Sequence, residues 1–224
     1  MNSDGVVRVG AVHALMNSIE VTQEAFEQRW PESEVVHLLD GSLYLDRSRG
    51  TADEAEISFR IDRLIQYSAA TGAEAILFTG SFFGDAVRRA RTNVSVPVLT
   101  SFDGLVERAL DLGRPLRVLA TAADSAPLLV AELEQEAERR SCDVSATGHV
   151  IPDAMDALLQ GDPKRHDRLI IDAVRETDPA AAVLFAQFSM ERVLEQCAAE
   201  TDAPVCGPAG EGAAWLRRVV ARPR

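Results

Sequence analysis

The chain has 224 residues, of which 46% are hydrophobic and 26% charged, and it carries a formal net charge of −12. This length fits one large α/β domain or two lobes of about 100 residues each, and the composition is that of an ordinary soluble globular protein. The negative charge argues against nucleic acid as a partner, because its phosphates would be repelled. The sequence has no run of about 18 apolar residues and no basic-then-apolar leader at Met1, so neither membrane insertion nor secretion is expected.

The cysteine and glycine spacings exclude several kinds of site. The three cysteines are Cys142, Cys197 and Cys206. They show no CxxC spacing, which predicts a reducing, cytoplasmic location and no metal site such as structural zinc. The glycines between residues 207 and 212 lack the GxGxxG spacing, so no nucleotide cofactor is predicted.

The first half of the chain alternates predicted strands with predicted helices. The strands are residues 6–12, 35–39, 75–79 and 96–100, and the helices are residues 19–29, 52–70, 85–91 and 104–112. Ser18 is the predicted cap of the first helix, which Pro31 ends. Residues 40–46 are predicted to form a polar loop that is long enough to fold over the edge of the sheet.

The second half repeats this alternation. Its predicted strands are residues 116–120, 144–147, 182–186 and 203–206. A long helix follows the loop 121–125, with Pro127 in its first turn. Further helices are predicted at residues 151–160 and 165–177, and the glycine-rich segment 207–212 leads into a terminal helix.

The two halves are also related in sequence. Residues 75–87 combine a buried strand, a small-residue turn and a helix start, and residues 182–190 match that strand position for position. Ile76 to Pro97 and Val183 to Pro204 are both 21 residues apart. This internal duplication predicts two flavodoxin-like (Rossmann-like) lobes with parallel sheets, related by a pseudo-two-fold axis, with the active-site cleft between their carboxyl edges. The predicted lobes are residues 1–102 plus 207–224, and residues 103–206.

Hydroxyl side chains follow three of the predicted strands. At the carboxyl edge of a parallel sheet such groups and the nearby helix N-termini can bind a carboxylate. Each hydroxyl could instead cap the following helix, but their convergence on one edge favours an anion site. The predicted substrate-binding residues are Asn17, Thr79, Ser81, Phe82, Thr121, Ala122, Ser125, Phe188 and Ser189.

The duplicated architecture and three loop motifs carry a family resemblance. The motifs are Thr79-Gly-Ser81, Leu119-Ala-Thr-Ala122 and Ala186-Gln-Phe-Ser189. Together they resemble the aspartate/glutamate/hydantoin racemase superfamily, which includes maleate isomerase and arylmalonate decarboxylase. The resemblance implies a homodimer that acts, without a cofactor, on the carbon next to a carboxylate of a small or amino-acid-like substrate. In that family two cysteines, one from each lobe, exchange the α-proton from opposite faces.

This chain departs from the family pattern at both cysteine positions. Gly80 matches the first cysteine and Gln187 matches the second. Glycine also stands at the first position in arylmalonate decarboxylases, but those enzymes keep the second cysteine. Neither glycine nor glutamine can exchange a proton with carbon, so the two-thiol mechanism is not expected here.

Other residues are candidates for the missing acid or base. His13 follows the first strand, and we predict a catalytic role; the alternatives are a loop histidine bonded to the backbone or one that binds a substrate carboxylate. Cys206 ends the last strand, where it is either a substitute thiol or a small buried hydrophobe. Cys197 is predicted to lie in the core, and His149 and His166 on the surface.

Two functions therefore remain open from the sequence. The first is an enzyme with isomerase, racemase or decarboxylase-type chemistry next to a carboxylate. The second is a non-catalytic small-carboxylate-binding protein that kept the pocket and lost the thiols.

Overall fold

A computed structural model describes residues 6–222. The chain divides into two compact units, Met1–Gly104 with Gly212–Arg224 and Leu105–Glu211. Residues 1–5 and 223–224, which form the outer ends of the predicted first lobe, lie outside the described residues. No helix within the described range is long and apolar enough to cross a membrane.

The first unit is built on a four-stranded parallel sheet. Its strands are β1 (Val7–His13), β2 (Ser33–Leu39), β3 (Ala75–Phe78) and β4 (Val98–Leu99), in the order β2-β1-β3-β4. Its helices are α1 (Ile19–Arg29), α2 (Ser42–Arg49), α3 (Glu54–Ala70) and α4 (Gly84–Ala90), and α5 (Asp103–Asp111) continues into the second unit.

The second unit repeats the same strand order. Its strands are β5 (Leu116–Ala120), β6 (Ala146–Val150), β7 (Ala182–Phe185) and β8 (Val205–Cys206), in the order β6-β5-β7-β8. Its helices are α6 (Ser125–Arg140), α7 (Ala154–Leu159), α8 (Pro163–Arg175) and α9 (Leu194–Ala199), and α10 (Pro208–Ala221) returns to the first unit. The predicted α/β class with two parallel sheets is confirmed, and β1, β3, β5 and β7 are the central strands as predicted.

The apolar strand runs are buried on both faces, as central parallel strands should be. All four residues of β3 and all four of β7 are buried. On one face of the first sheet, Ile57, Ile61 and Ile65 of α3 pack in one cluster with Ile76 and Phe78. Their spacing of four residues places these isoleucines on one face of the helix, and each fully buried side chain contributes about 1.5–3 kcal/mol.

The predicted polar loop at residues 40–46 is wrong, because most of it belongs to α2. Asp40 accepts hydrogen bonds from the backbone N–H and the hydroxyl of Ser42. Arg60 of α3 forms ion pairs with Asp40 and Asp46, and Leu43 is completely buried. These tertiary contacts stabilise a helix whose own sequence is polar.

Two further boundaries and one burial prediction need correction. The weak strand predicted at residues 144–147 is β6, which lies two residues later. Most of the segment 207–212 does not precede the terminal helix, since α10 begins at Pro208 and includes Gly210 and Gly212. Gly212 packs closely against Leu77, because a Cβ at this position would lie 3.3 Å from its side chain. His166 is completely buried in α8 rather than on the surface.

Candidate functional site

At the carboxyl edge of the first sheet, His13 and Thr79 are brought together by the pairing of β1 with β3. The N–H of Thr79 donates to the carbonyl of Val12 at 2.9 Å, which continues the ladder one residue beyond β3. His13 Nδ1 lies 2.9 Å from Thr79 Oγ1 and 3.0 Å from Ser18 Oγ. Ser18 donates to the carbonyl of Leu15 and forms no side-chain cap for α1, so the predicted capping role is wrong.

A second histidine, which sequence reasoning did not single out, completes this cluster. His37 of β2 lies with its Nδ1 2.9 Å from His13 Nε2, and its Nε2 lies 2.9 Å from Gln23 Oε1. The two imidazole rings are stacked with their centroids 5.1 Å apart. We call His13, Ser18, Gln23, His37 and Thr79 the histidine cluster.

The hydrogen-bond partners of Gln23 fix which atoms donate and which accept throughout the histidine cluster. Gln23 donates its amide N–H to Glu27, so its oxygen faces His37 and accepts from His37 Nε2. His37 Nδ1 is then an acceptor, which makes His13 Nε2 the donor and His13 Nδ1 an acceptor for the Thr79 hydroxyl. Both imidazoles are neutral in this arrangement.

The electrostatics agree with a neutral His13. Burial, and next the neighbouring His37, lower the pKa of His13 from 6.5 to about 3, and burial lowers the pKa of His37. His13 is completely buried and ends β1, so the loop histidine bonded to the backbone is wrong: its partners are side chains. A direct role of His13 in catalysis or ligand binding stays a prediction, and the closed environment weighs against it.

Gly80 follows β3 in a position with no room for a side chain. A Cβ there would lie 2.6 Å from Phe83 Cδ2 and 2.8 Å from Phe78 Cε1. The backbone angles of Gly80 (φ −109°, ψ 101°) are open to any residue. Glycine is therefore needed here because of the limited space between the two rings, and not because of its backbone conformation.

Of the remaining predicted residues of the first unit, one lines a small cavity and the other two lie outside it. Phe82 is half-buried beside Tyr44, and the guanidinium of Arg47 lies 4.5 Å from its ring centre. A cavity of about 300 Å³ borders Phe82 and Arg47. Ser81 is half-buried and Asn17 is exposed. A larger cavity of about 590 Å³ lies against α3 and α4, and none of the predicted site residues lines it.

In the second unit, three donors converge on one side-chain oxygen. Gln187 Oε1 accepts from the backbone N–H of Thr121 at 2.6 Å, from the N–H of Ala122 at 3.0 Å and from the Thr121 hydroxyl at 3.0 Å. We call these three donors the Thr121 nest. Thr121 follows β5 and Gln187 follows β7, which are neighbouring strands, so both lie at one sheet edge.

The turn that carries the Thr121 nest also carries Ser125. Its N–H donates to the carbonyl of Ala122 at 3.1 Å, and its side chain is completely buried. The Ser125 hydroxyl has no hydrogen-bond partner among residues 6–222 and forms no cap for α6. Of the other predicted residues here, Phe188 is buried and Ser189 is half-buried.

A carboxylate already occupies one helix start in this unit. Glu191 accepts from the backbone N–H groups of Ala209 and Gly210 at the beginning of α10. A Cβ at Gly207 would collide with the Glu191 side chain, so glycine is needed for this approach. Sequence reasoning missed Glu191, and only its position a few residues after β7 hinted at this edge of the sheet.

Two of the cysteines are buried in the second unit. Burial raises the pKa of the Cys197 thiol to about 12, and its predicted place in the core is confirmed. Cys206 is also buried, as the small-hydrophobe alternative predicts. Within the described part of the chain, no group of three or more His, Cys, Asp or Glu side chains could hold a metal ion.

One family profile matches most of this chain. The profile of the Asp/Glu/Hydantoin racemase family matches residues 6–178. No curated protein matches the sequence.

Several solved structures have the same fold as this chain. An aspartate racemase homologue from Pyrococcus horikoshii has a TM-score of 0.72 at 14% identity, over 96% of this chain and 99% of its own. Glutamate racemase from Bacillus anthracis has a TM-score of 0.70 at 13% identity, over 96% and 82%. Allantoin racemase from Klebsiella pneumoniae has a TM-score of 0.68 at 17% identity, over 96% and 88%.

Proposed function

Because the chain belongs to the Asp/Glu/Hydantoin racemase family, we propose that it binds a small carboxylate or amino-acid-like molecule at the carboxyl edge of its sheets. The observation that carries this proposal is the Thr121 nest, where two N–H groups and one hydroxyl converge on a single oxygen. In the folded chain the oxygen that they hold is that of the Gln187 side-chain amide, so a ligand carboxylate would bind beside this amide and not in its place.

The catalytic form of this proposal is cofactor-independent isomerase, racemase or decarboxylase-type chemistry at the carbon next to the carboxylate. A fixed N–H donor beside the substrate carboxylate stabilises a developing enolate, and that contribution does not require a thiol. If Gly80 and Gln187 stand where the family has its cysteines, two-thiol proton exchange is absent. Water or a group of the substrate must then supply the proton.

A non-catalytic carboxylate-binding protein is the second candidate, and one observation favours it. Two of the candidate groups are inert: His13 is enclosed with its pKa at about 3, and burial raises the pKa of the Cys197 thiol to about 12. Neither can act as an acid or base near neutral pH. Carboxylate binding is thus the function that the geometry supports best, and turnover is its catalytic extension.

One pair of measurements tests both candidates. Thermal unfolding is followed with acetate, succinate, and both enantiomers of aspartate and of glutamate, because a compound that binds the native state raises the melting temperature. Any stabilising compound that has an α-proton is then incubated with the protein in deuterium oxide, and α-deuteration is followed by proton NMR. Binding without exchange supports the non-catalytic function, exchange supports the enzyme, and no stabilisation by any of these compounds contradicts the proposal. The homodimer implied by the resemblance stays a prediction, which sedimentation of the purified protein checks.

A further inference from the structure

We propose that Gln187 is a specificity-determining residue, whose anchored amide presents its N–H groups to a carboxylate or carbonyl oxygen of the ligand. The inference rests on the carboxylate-binding function proposed above.

The orientation of the Gln187 amide follows from its partners. All three members of the Thr121 nest are donors, so the side-chain atom that they contact must be the oxygen. A flipped amide would place two N–H donors against three other donors, which is strongly unfavourable. The Thr121 nest therefore determines which end of the amide faces outwards.

The outward end is the nitrogen, Nε2, and it is available. Among residues 6–222 Nε2 makes no hydrogen bond within the chain, since the side-chain bonds of Gln187 are those to the Thr121 nest. Nε2 is also not enclosed. A buried side-chain nitrogen without a partner would be in the same class as Ser125 Oγ and His166 Nε2, which are the buried unpaired side-chain atoms among residues 6–222, and Gln187 Nε2 is not one of them. Gln187 thus offers two N–H donors in a fixed direction at the carboxyl edge of the sheet.

A fixed pair of N–H donors selects ligands by their acceptor atoms. A carboxylate or carbonyl oxygen at this point accepts a hydrogen bond from the amide. An ammonium group has only N–H donors, so it cannot accept from the amide and is disfavoured there. The anchoring bonds also hold the side chain in one conformation, so little entropy is lost when the ligand binds. The amide should therefore favour a dicarboxylate over an analogue that carries an amine at the same end.

The test uses succinate and β-alanine, which differ in having a carboxylate or an ammonium group at one end of a similar chain. Affinities are measured by calorimetry for the wild type, for Gln187→Glu and for the control Gln196→Glu on an exposed face of α9. The new carboxylate of Gln187→Glu can still accept from all three donors of the Thr121 nest, so the variant should fold with an unchanged melting temperature. Its outer atom becomes an acceptor in place of a donor.

We expect Gln187→Glu to weaken succinate binding by about tenfold to a hundredfold, and to shift the preference toward β-alanine. Gln196→Glu adds the same charge to the same unit and should leave both affinities within about twofold. Equal succinate affinity in Gln187→Glu and the wild type overturns the role of Gln187 while leaving the proposed function intact. A wild type that binds neither succinate nor the aspartate and glutamate enantiomers overturns both.

A second measurement keeps the inference testable if Gln187→Glu does not fold. In the wild type, the side-chain amide protons of Gln187 are assigned through its own backbone and followed by nitrogen–proton NMR during a succinate titration. A direct hydrogen bond to succinate shifts these protons downfield in proportion to saturation. Saturation with succinate and no shift of the Gln187 amide protons refutes the proposal.

Discussion

Acidification is expected to destabilise the first unit through His13. Its folded-state pKa is about 3, against 6.5 for an unperturbed histidine, because burial and the adjacent His37 disfavour the charged ring. Between these two values the unfolded chain binds a proton that the folded chain does not. The free energy of unfolding therefore rises with pH across this window and is lost as the pH falls below about 6.5.

The magnitude follows from the two pKa values. Between about pH 7 and about pH 5.5, the unfolded state is stabilised by protonation at this site by about 1 kcal/mol, while His13 in the folded state stays neutral. Each further unit of acidification adds about 1.4 kcal/mol until the folded-state pKa is approached. The pKa of His37 is lowered as well, so its contribution has the same sign.

The position of the tryptophans makes this effect measurable in the first unit alone. The chain has two tryptophans, and Trp30 and Trp215 both belong to that unit. Urea unfolding followed by tryptophan fluorescence at several pH values gives the free energy of unfolding as a function of pH. His13→Gln keeps one donor and one acceptor but does not titrate, so its pH slope should be smaller than that of the wild type.

The control removes a histidine from the other unit. His149 lies half-buried on β6 outside the histidine cluster, and His149→Gln should keep the wild-type slope in this fluorescence assay. If His13→Gln and the wild type lose the same free energy between about pH 7 and about pH 5.5, burial does not hold His13 neutral. The hydrogen-bond direction assigned to the histidine cluster would then be wrong.

Two further substitutions test the close contacts at the sheet edges, each by urea unfolding. Gly80→Ala should lower the free energy of unfolding by about 1–3 kcal/mol because its Cβ would lie 2.6 Å from the Phe83 ring, whereas Gly41→Ala, with no atom within 4 Å, should cost less than about 0.5 kcal/mol. A tolerated Gly80→Ala would mean that the two phenylalanine rings move freely. Glu191→Ala should cost about 1–2 kcal/mol because the first N–H groups of α10 lose their acceptor, and the exposed Glu195→Ala should be nearly neutral. Equal effects of the two glutamate changes would show that this capping contributes nothing to stability.

The sequence alone determined the fold class and its central strands. The runs at residues 75–78 and 182–185 are apolar throughout, as expected of a strand that is covered on both faces. The equal spacing of the strands in the two halves predicted two sheets of the same design, which the common strand order confirms. These signals are local, because each depends on residues that are close in the chain.

Tertiary structure alone decided how the polar groups are paired. His13 meets Thr79, and Thr121 meets Gln187, across 66 residues of sequence in both cases, because each pair follows adjacent strands of one sheet. The partner of His13 on β2 depends on the register of β1 with β2, and α2 depends on the ion pairs of Arg60. A side-chain hydrogen bond requires atoms within about 3 Å, and only the folded chain brings groups so far apart in sequence to that distance.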